Sequence, residues 1–477
     1  MLTLTDLFCG AGGSSTGAEM VPGVEVVMAV NHWRLAVATH AANHPGTAHD
    51  CADISQVDPR RYPSTDLLWA SPECTNHSIA RGMSRRRQAE ARRADLLGPL
   101  EADPPPGEEA AVRSRATMWD VVRFAEHHAY RAIVVENVVE AASWVLFPAW
   151  RSALVALSYD MRLVCLNSMH AAVGGPPAPQ SRDRLYVVAW RRGDAAPDLE
   201  PVIRPWAWCE THGWVRALQV FKDPARRAGR YRAQYAYRCP QASCRNRVVE
   251  PPTLPAASII DWTDPGTRIG DRERPLAPRT LDRIRAGIRR YWGGDWAPPS
   301  PPAGQGADRA PSAAATEVLR ARADSAPPSA VQPFIAELRG GGSDARPVTD
   351  PLATVTASGN HHALVCRGAA PDGAPTGLLM RNNSARGGRA HLTTPASEPA
   401  RTITAAGRQS LLTGRTTDLD DVRFRMLTPD EIKLAMAFPG DYVVLGNRRE
   451  RVRQAGNAVT PPAARDIVAV LARALTP

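Results

Sequence analysis

An α/β fold, with a parallel sheet covered by helices on both faces and a long β-rich or irregular insertion, is what this sequence predicts. Three observations predict it. Short apolar runs alternate with helical stretches through residues 1–190, the pattern of strands joined by crossover helices. From about 201 to 415 the chain turns rich in Arg, Pro and Gly, with only short β-like runs. From about 422 a helical, apolar texture returns and ends in Ala463–Leu475.

The elements follow in order. Leu2–Phe8 reads as a strand, Gly10-Ala-Gly-Gly13 as a loop and Ser14–Met20 as a helix start. Val24–Val30 is a second strand and Trp33–Ala42 a helix. Asp66–Ala70, Ala132–Val135, Leu163–Asn167 and Leu185–Trp190 are further strands, with Thr117–His128 a helix before the second of these. Residues 95–113 form a Pro/Glu-rich excursion, and 297–330 are low-complexity and read as a linker. Asp350-Pro-Leu-Ala-Thr-Val-Thr-Ala357 recurs as Glu398-Pro-Ala-Arg-Thr-Ile-Thr-Ala405, a period of 48. Two copies suggest either a duplicated β-unit or two ordinary hairpins with shared turn chemistry.

A length of 477 residues fits two or three domains at about 150 residues each. The texture shifts place them at 1–200, 201–415 and 416–477, the first and last sharing one sheet. Lys+Arg minus Asp+Glu is 58 − 48 = +10, and only Lys222 and Lys433 are lysines. Arginine forks suit phosphates and guanine edges, so a polyanionic partner competes with a plain solvated surface. No run of 18 apolar residues suggests a membrane span, and the start lacks the basic region of a signal peptide. Eight cysteines are too sparse for a disulfide framework, which points to reduced thiols and a cytoplasmic protein.

Five motifs carry chemistry. Asp6-Leu-Phe-Cys-Gly-Ala-Gly-Gly13 is a glycine turn leaving the first strand, where backbone can approach a nucleotide-like ligand. Ser71-Pro-Glu-Cys-Thr-Asn-His-Ser78 sets Cys74 in a polar loop after a strand, placed like a nucleophile. Val134-Val-Glu-Asn-Val138 ends a strand on a carboxylate able to hold a proton. Gln180-Ser-Arg-Asp-Arg184 has alternate arginines that would project to one face. Gln454-Ala-Gly-Asn-Ala-Val-Thr-Pro461 opens the last helix.

Together and in this order, these motifs resemble the DNA (cytosine-5)-methyltransferase family of bacteria and phages. The resemblance covers roughly residues 1–190 and 422–477, and Arg425-Met-Leu-Thr-Pro-Asp-Glu431 with Ala437-Phe-Pro439 extends it. It implies a Rossmann-like S-adenosylmethionine-dependent sheet interrupted by a target recognition domain. By the resemblance, Cys74 is the nucleophile, and Glu136 bonds nitrogen 3 and the exocyclic amine of cytosine. Arg182 and Arg184 hold the base and support Glu136. Phe8, Gly10, Gly12, Gly13, Asn31, His32, Asp53, Ile54 and Asn457 contact S-adenosylmethionine. The implied chemistry is thiolate addition at carbon 6 of a flipped-out base, which turns carbon 5 into a nucleophile for the sulfonium methyl. Arg81 and Arg85-Arg-Arg87 would close on phosphates.

Three positions depart from the family pattern. Glu73-Cys74-Thr75 stands for Pro-Cys-Gln, and a carboxylate beside the thiol disfavours thiolate. Asn31 replaces the acid that grips the ribose, which predicts weaker binding. His32 replaces an aromatic against adenine. In the variable region, Cys209-Glu-Thr-His212 and Cys239-Pro-Gln-Ala-Ser-Cys244 offer four ligands for a structural zinc, with unpaired cysteines in a tyrosine cluster as the alternative. The family's Thr-Leu/Val/Ile pair fits both Thr354-Val355 and Thr402-Ile403, and Asn360, His361, His362, Arg381, Arg386, Arg408 and Gln409 are candidate base or phosphate contacts. The expected partners are duplex DNA and a cognate restriction endonuclease, the expected state a nucleoid-associated monomer. Alternative readings are the same chemistry on tRNA and an inactive DNA-binding module.

Overall fold

The computed structural model describes residues 1–73, 108–291 and 419–476, and between them a set of strands within 334–413. The central sheet is built from β1 (Leu2–Leu7), β2 (Val24–Val30), β3 (Ala48–Asp50), β4 (Leu67–Ala70), β5 (Ala132–Asn137), β6 (Tyr159–Asn167) and, after a short β7 (Gln180–Ser181), β8 (Asp183–Arg191). Its order is β3-β2-β1-β4-β5-β8-β6. The first five strands run parallel. The expected all-parallel sheet is corrected at one strand: β8 is antiparallel to both neighbours. The reason is local, since β8 returns directly beside β6 through residues 168–182, with no crossover helix to reverse the chain.

Alternation along the strands builds two cores. Leu7, Met28, Leu68, Ala70, Ile133 and Val135 face one side, under Met118, Val121 and Phe124 of α3 (Glu108–His128) and Trp150 of α4 (Phe147–Ala156). Leu4, Val26, Leu67, Trp69, Val134 and Val188 face the other, against Ile467, Val468 and Leu471 of the C-terminal helix Pro461–Leu475. Helices α1 (Gly13–Glu19) and α2 (Arg34–Asn43) follow β1 and β2. The C-terminal helix thus completes a layer begun 440 residues earlier, as the returning apolar texture predicts.

The inserted region, with the strand Arg423–Met426 just beyond it, forms an eight-stranded sheet whose described pairs are all antiparallel, starting from Thr267–Arg268. The two repeat copies become strands Leu352–Val355 and Ala400–Ile403, which pair parallel to each other with Leu352 opposite Ala400. That offset equals the sequence period. Both also pair with β7 at Gln180, closing a three-stranded parallel unit against the motif that carries the paired arginines. The copies are therefore partners, not separate hairpins. Residues 206–249 form two hairpins, β9–β10 (Trp206–Cys209, Gly213–Arg216) and β11–β12 (Leu218–Phe221, Tyr235–Arg238). Their apolar residues join the core on the α3 face of the central sheet. The linker 297–330 lies outside the described residues, as do 95–107 of the Pro/Glu-rich excursion.

Candidate active site

Register brings the sequence motifs to one edge. Leu7 pairs with Val30 and Ala70, Val30 with Asp50, and Ala70 with Val135. Five parallel strands therefore end together, and Phe8, Asn31, Cys51 to Ile54, Ser71 to Glu73 and Glu136 all follow on the carboxyl edge, where open α/β sheets bind ligands.

The glycine loop turns in left-handed backbone at Phe8 (φ 60°), Gly10 (φ 54°) and Gly12 (φ 89°), and closes with Gly12 N–H donating to Cys9 O at 3.0 Å. The glycines do different work. A methyl on Gly10 would meet only the Phe8 carbonyl oxygen, at 4.0 Å, so the loop is not crowded there. One on Gly12 would lie 2.5 Å from Tyr442 Oη, and one on Gly13 only 1.9 Å from the Val459 carbonyl oxygen. Gly13 thus lets α1 meet the C-terminal segment backbone to backbone. Below the loop, Asp6 is fully buried and its Oδ2 accepts from Ser14 Oγ (2.5 Å) and Ser15 Oγ (2.7 Å). Burial outweighs these bonds and lifts the carboxyl to about 6. His40 Nε2 lies 2.9 Å from Ser15 Oγ, and burial together with His44 and His49 drives it down to about 2, so it stays neutral. Tyr442 Oη donates to Ala11 O at 2.5 Å, tying the loop to the C-terminal part.

Asn31 is buried, and its Oδ1 accepts from Trp33 N–H at 2.9 Å, capping the turn into α2. His32 is exposed and its Nε2 stands 3.8 Å from Glu73 Oε1. Asp53 is exposed, accepts from Ser55 N–H at 3.1 Å and precedes the buried Ile54. Asn457 is exposed at the end of the helix Arg448–Asn457. Asn31, His32, Asp53 and Ile54 thus gather on the edge beside Gly10, offering amide, imidazole and carboxylate groups around it.

The second half of the site is an ion pair. Glu136 is the penultimate residue of β5 and Arg184 the second of β8, and Arg184 Nε meets Glu136 Oε1 at 2.7 Å with both side chains about nine-tenths buried. Asn137 Nδ2 donates to Pro72 O at 3.2 Å, anchoring the segment that leads into Cys74. Cys74 itself, with Arg81 and Arg85 to Arg87, lies outside the described residues. The expectation that Arg182 and Arg184 project to one face is corrected. Arg182 falls in the break between β7 and β8, so the strand alternation does not run through it. It is buried and its Nη2 donates to Ala458 O (2.8 Å) and Gly456 O (3.2 Å), fixing the turn between the last two helices.

Sequence reasoning missed three residues that hold this arrangement. Asn167 Oδ1 accepts from the backbone N–H of Arg182 (2.9 Å) and Met169 (3.2 Å), shaping the break. An Asn at a strand end before a turn is the available signal. Asp183 Oδ1 accepts from Tyr231 N–H at 2.9 Å, and Tyr442 closes the glycine loop. Neither carries a local signature, because both partners are remote in sequence.

The Cys/His set does converge. The ligand atoms of Cys209, His212, Cys239 and Cys244 lie within 4.8 Å of one another. Of the recognition candidates, Thr354-Val355 and Thr402-Ile403 lie on the paired repeat strands, and His362, Arg381 and Gln409 on strands of the eight-stranded sheet. Asn360, His361, Arg386 and Arg408 lie outside the described residues.

The sequence model of the family described as C-5 cytosine-specific DNA methylase matches residues 2–100 and 367–473. Among curated relatives, the Type II methyltransferase M.HgiDI of Herpetosiphon aurantiacus is 28% identical over 203 residues, covering 42% of this chain and 55% of the relative. The Type II methyltransferase M.AgeI of Thalassovita gelatinovora is 25% identical over 207 residues, covering 41% of each. The chain thus aligns with about half the length of these relatives. Among solved structures, the methyltransferase EhMeth of Entamoeba histolytica superposes with a TM-score of 0.47 at 12% identity, over 100% of this chain and 99% of that one. No helix among the described residues is long and apolar enough to cross a membrane. Over residues 2–100 and 367–473, then, the chain is similar to the C-5 cytosine-specific DNA methylase family, and the curated relatives it resembles are Type II methyltransferases.

Proposed function

We propose that the protein transfers a methyl group from S-adenosylmethionine to carbon 5 of cytosine in duplex DNA. The observation that carries this reading is the Arg184–Glu136 pair at the carboxyl edge, one strand from the loop that leads into Cys74. S-adenosylmethionine supplies an electrophilic methyl on its sulfonium. The uncrowded glycine turn at Gly10, with Asp53 and Asn31 on the same carboxyl edge, fits a nucleoside-like group. In this proposal the target base is flipped out of the duplex. The Cys74 thiolate bonds to carbon 6, and Glu136, steadied by Arg184, holds the proton at nitrogen 3. Carbon 5 would then take the methyl as the methyl–sulfur bond breaks and the donor leaves as its thioether, S-adenosylhomocysteine; a base removes the carbon 5 proton, and the C6–S bond breaks to return the thiolate. Arg182 acts by fixing the turn at Gly456 to Ala458. Residues 201–415 would read the DNA sequence, apart from a zinc ion on Cys209, His212, Cys239 and Cys244. A restriction endonuclease of the same site and action as a monomer in the cytoplasm complete the proposal.

The test incubates purified protein, unmethylated duplex DNA and S-adenosylmethionine, with tRNA in parallel, and identifies modified nucleosides by mass spectrometry. The expected result is 5-methyldeoxycytidine with the wild type and none with Cys74→Ala, which still binds DNA. Activity in Cys74→Ala would overturn the nucleophile. Modification of tRNA alone would overturn the substrate, and DNA binding with no modified base would favour an inactive binding module.

A further inference from the structure

The four ligands of the Cys/His cluster come from the two hairpins on the α3 face of the sheet. Cys209 ends β9 and His212 sits in the turn to β10, where His212 N–H donates to Cys209 O at 3.2 Å. Cys239 follows β12, and Cys244 ends a short helical turn beyond it. The separations suit one metal ion. His212 Nδ1 lies 3.5 Å from Cys209 Sγ and 3.4 Å from Cys239 Sγ, and Cys209 Sγ lies 4.0 Å from Cys244 Sγ. A tetrahedral zinc with Zn–S of about 2.3 Å and Zn–N of about 2.0 Å has S···N edges of about 3.5 Å and S···S edges of about 3.8 Å. The other imidazole nitrogen, His212 Nε2, is 2.8 Å from Ser243 Oγ, the outer partner that orients a ligating histidine.

What these hairpins touch gives the cluster a purpose. Between the two ligand pairs, the chain contacts residues that neighbour Arg184 and Glu136 in sequence. Tyr231 N–H donates to the carboxylate of Asp183, the residue before Arg184. Arg230 Nη2 pairs at 2.6 Å with Glu140, four residues after Glu136. Gln219 Nε2 donates to Cys165 O on β6 at 2.9 Å. Tyr231 and Tyr237 enclose His170 edge-on, with ring centroids 4.6 and 5.2 Å away. One module thus touches the segments next to both members of the pair, at the carboxyl ends of β5 and β6 and the start of β8.

We propose that Cys209, His212, Cys239 and Cys244 bind one zinc ion, and that the zinc-locked module of residues 206–249 positions Arg184 and Glu136 for the base. The positioning role rests on the methyltransferase reading above; the metal site does not. The zinc would be fully ligated by protein, which makes it structural rather than catalytic.

The experiment uses the full chain. Metal analysis after gel filtration should find about one zinc per chain. Cobalt loading of the stripped protein should give the visible and thiolate charge-transfer bands of a tetrahedral thiolate site. Less than about half a zinc per chain without those bands, or a Cys209–Cys244 disulfide in protein kept reduced, would overturn the metal site. For the role, Arg230→Met cuts the Glu140 contact and leaves every ligand in place. Its zinc content should equal the wild type's, its kcat should fall about tenfold, and its KM for S-adenosylmethionine should not move. An unchanged kcat at full zinc content would overturn positioning. A zinc-loaded wild type that methylates nothing would overturn the activity reading and, with it, the positioning role, while the metal content and cobalt spectrum still decide the site.

Discussion

Take away Arg184, and Glu136 is left as a buried carboxylate without its cation. The two groups are 2.7 Å apart and each side chain is only about one-tenth exposed. At that distance and an effective dielectric of about 20, their gross attraction is about 6 kcal/mol. Most of this offsets the desolvation of the two ions, so the pair contributes little net stability compared with two well-packed apolar residues. Losing one member is different, because the other's desolvation stays uncompensated, at a cost of about 3 kcal/mol. Arg184→Met should therefore lower the thermal midpoint by on the order of 5–10 °C. Glu136→Leu should cost a similar amount. The double variant should be far less destabilised than the sum of the singles, with a coupling energy of at least about 2 kcal/mol. Urea unfolding followed by tryptophan fluorescence reads all four corners, since Trp69 and Trp150 are buried on opposite sides of the sheet. Additivity within about 0.5 kcal/mol would refute the placement of the pair.

Two further predictions test the glycine loop. Gly13→Ala should push α1 from the Val459 carbonyl and cost about 1–3 kcal/mol, whereas Gly46→Ala, whose methyl would meet open space, should stay within about 0.5 kcal/mol of wild type; equal effects would sink the backbone-contact explanation. Asp6, raised from 3.8 to about 6 by burial, binds its proton more tightly in the folded state, so its contribution to stability is full below pH 4 and is lost as pH rises through 6. Asp6→Asn should remove that slope, and the stability difference between Asp6→Asn and wild type should shrink by up to about 3 kcal/mol as pH falls from 6 to 4. A difference that stays flat across this window in paired urea titrations would show that Asp6 is ionised when folded.

Much of the fold is local and was legible. Strand positions, the glycine turn and the Cys/His spacing all follow from apolar runs and punctuating residues, and the repeat period of 48 is the offset at which its two copies pair. The reversal of β8 was not legible, because an apolar run carries no sign for direction. Neither was the division of labour between Arg182 and Arg184, since alternation holds only within an unbroken strand and Asn167 breaks this one. Nor could spacing separate Gly10, near which only the Phe8 carbonyl oxygen lies, from Gly12 and Gly13, which admit Tyr442 and Val459 from the far end of the chain.

By itself, then, the sequence determined which chemical groups are present and which strand end or turn each occupies, because backbone propensity and side-chain periodicity act over a few residues. Only the tertiary structure decided which groups meet. Glu136 finds Arg184, Gly13 finds Val459, and Asp183 finds Tyr231 through contacts 48 to 446 residues apart in sequence. Such contacts are selected by how whole faces pack and by the demand that buried charges and backbone groups be paired, which no local stretch of sequence records.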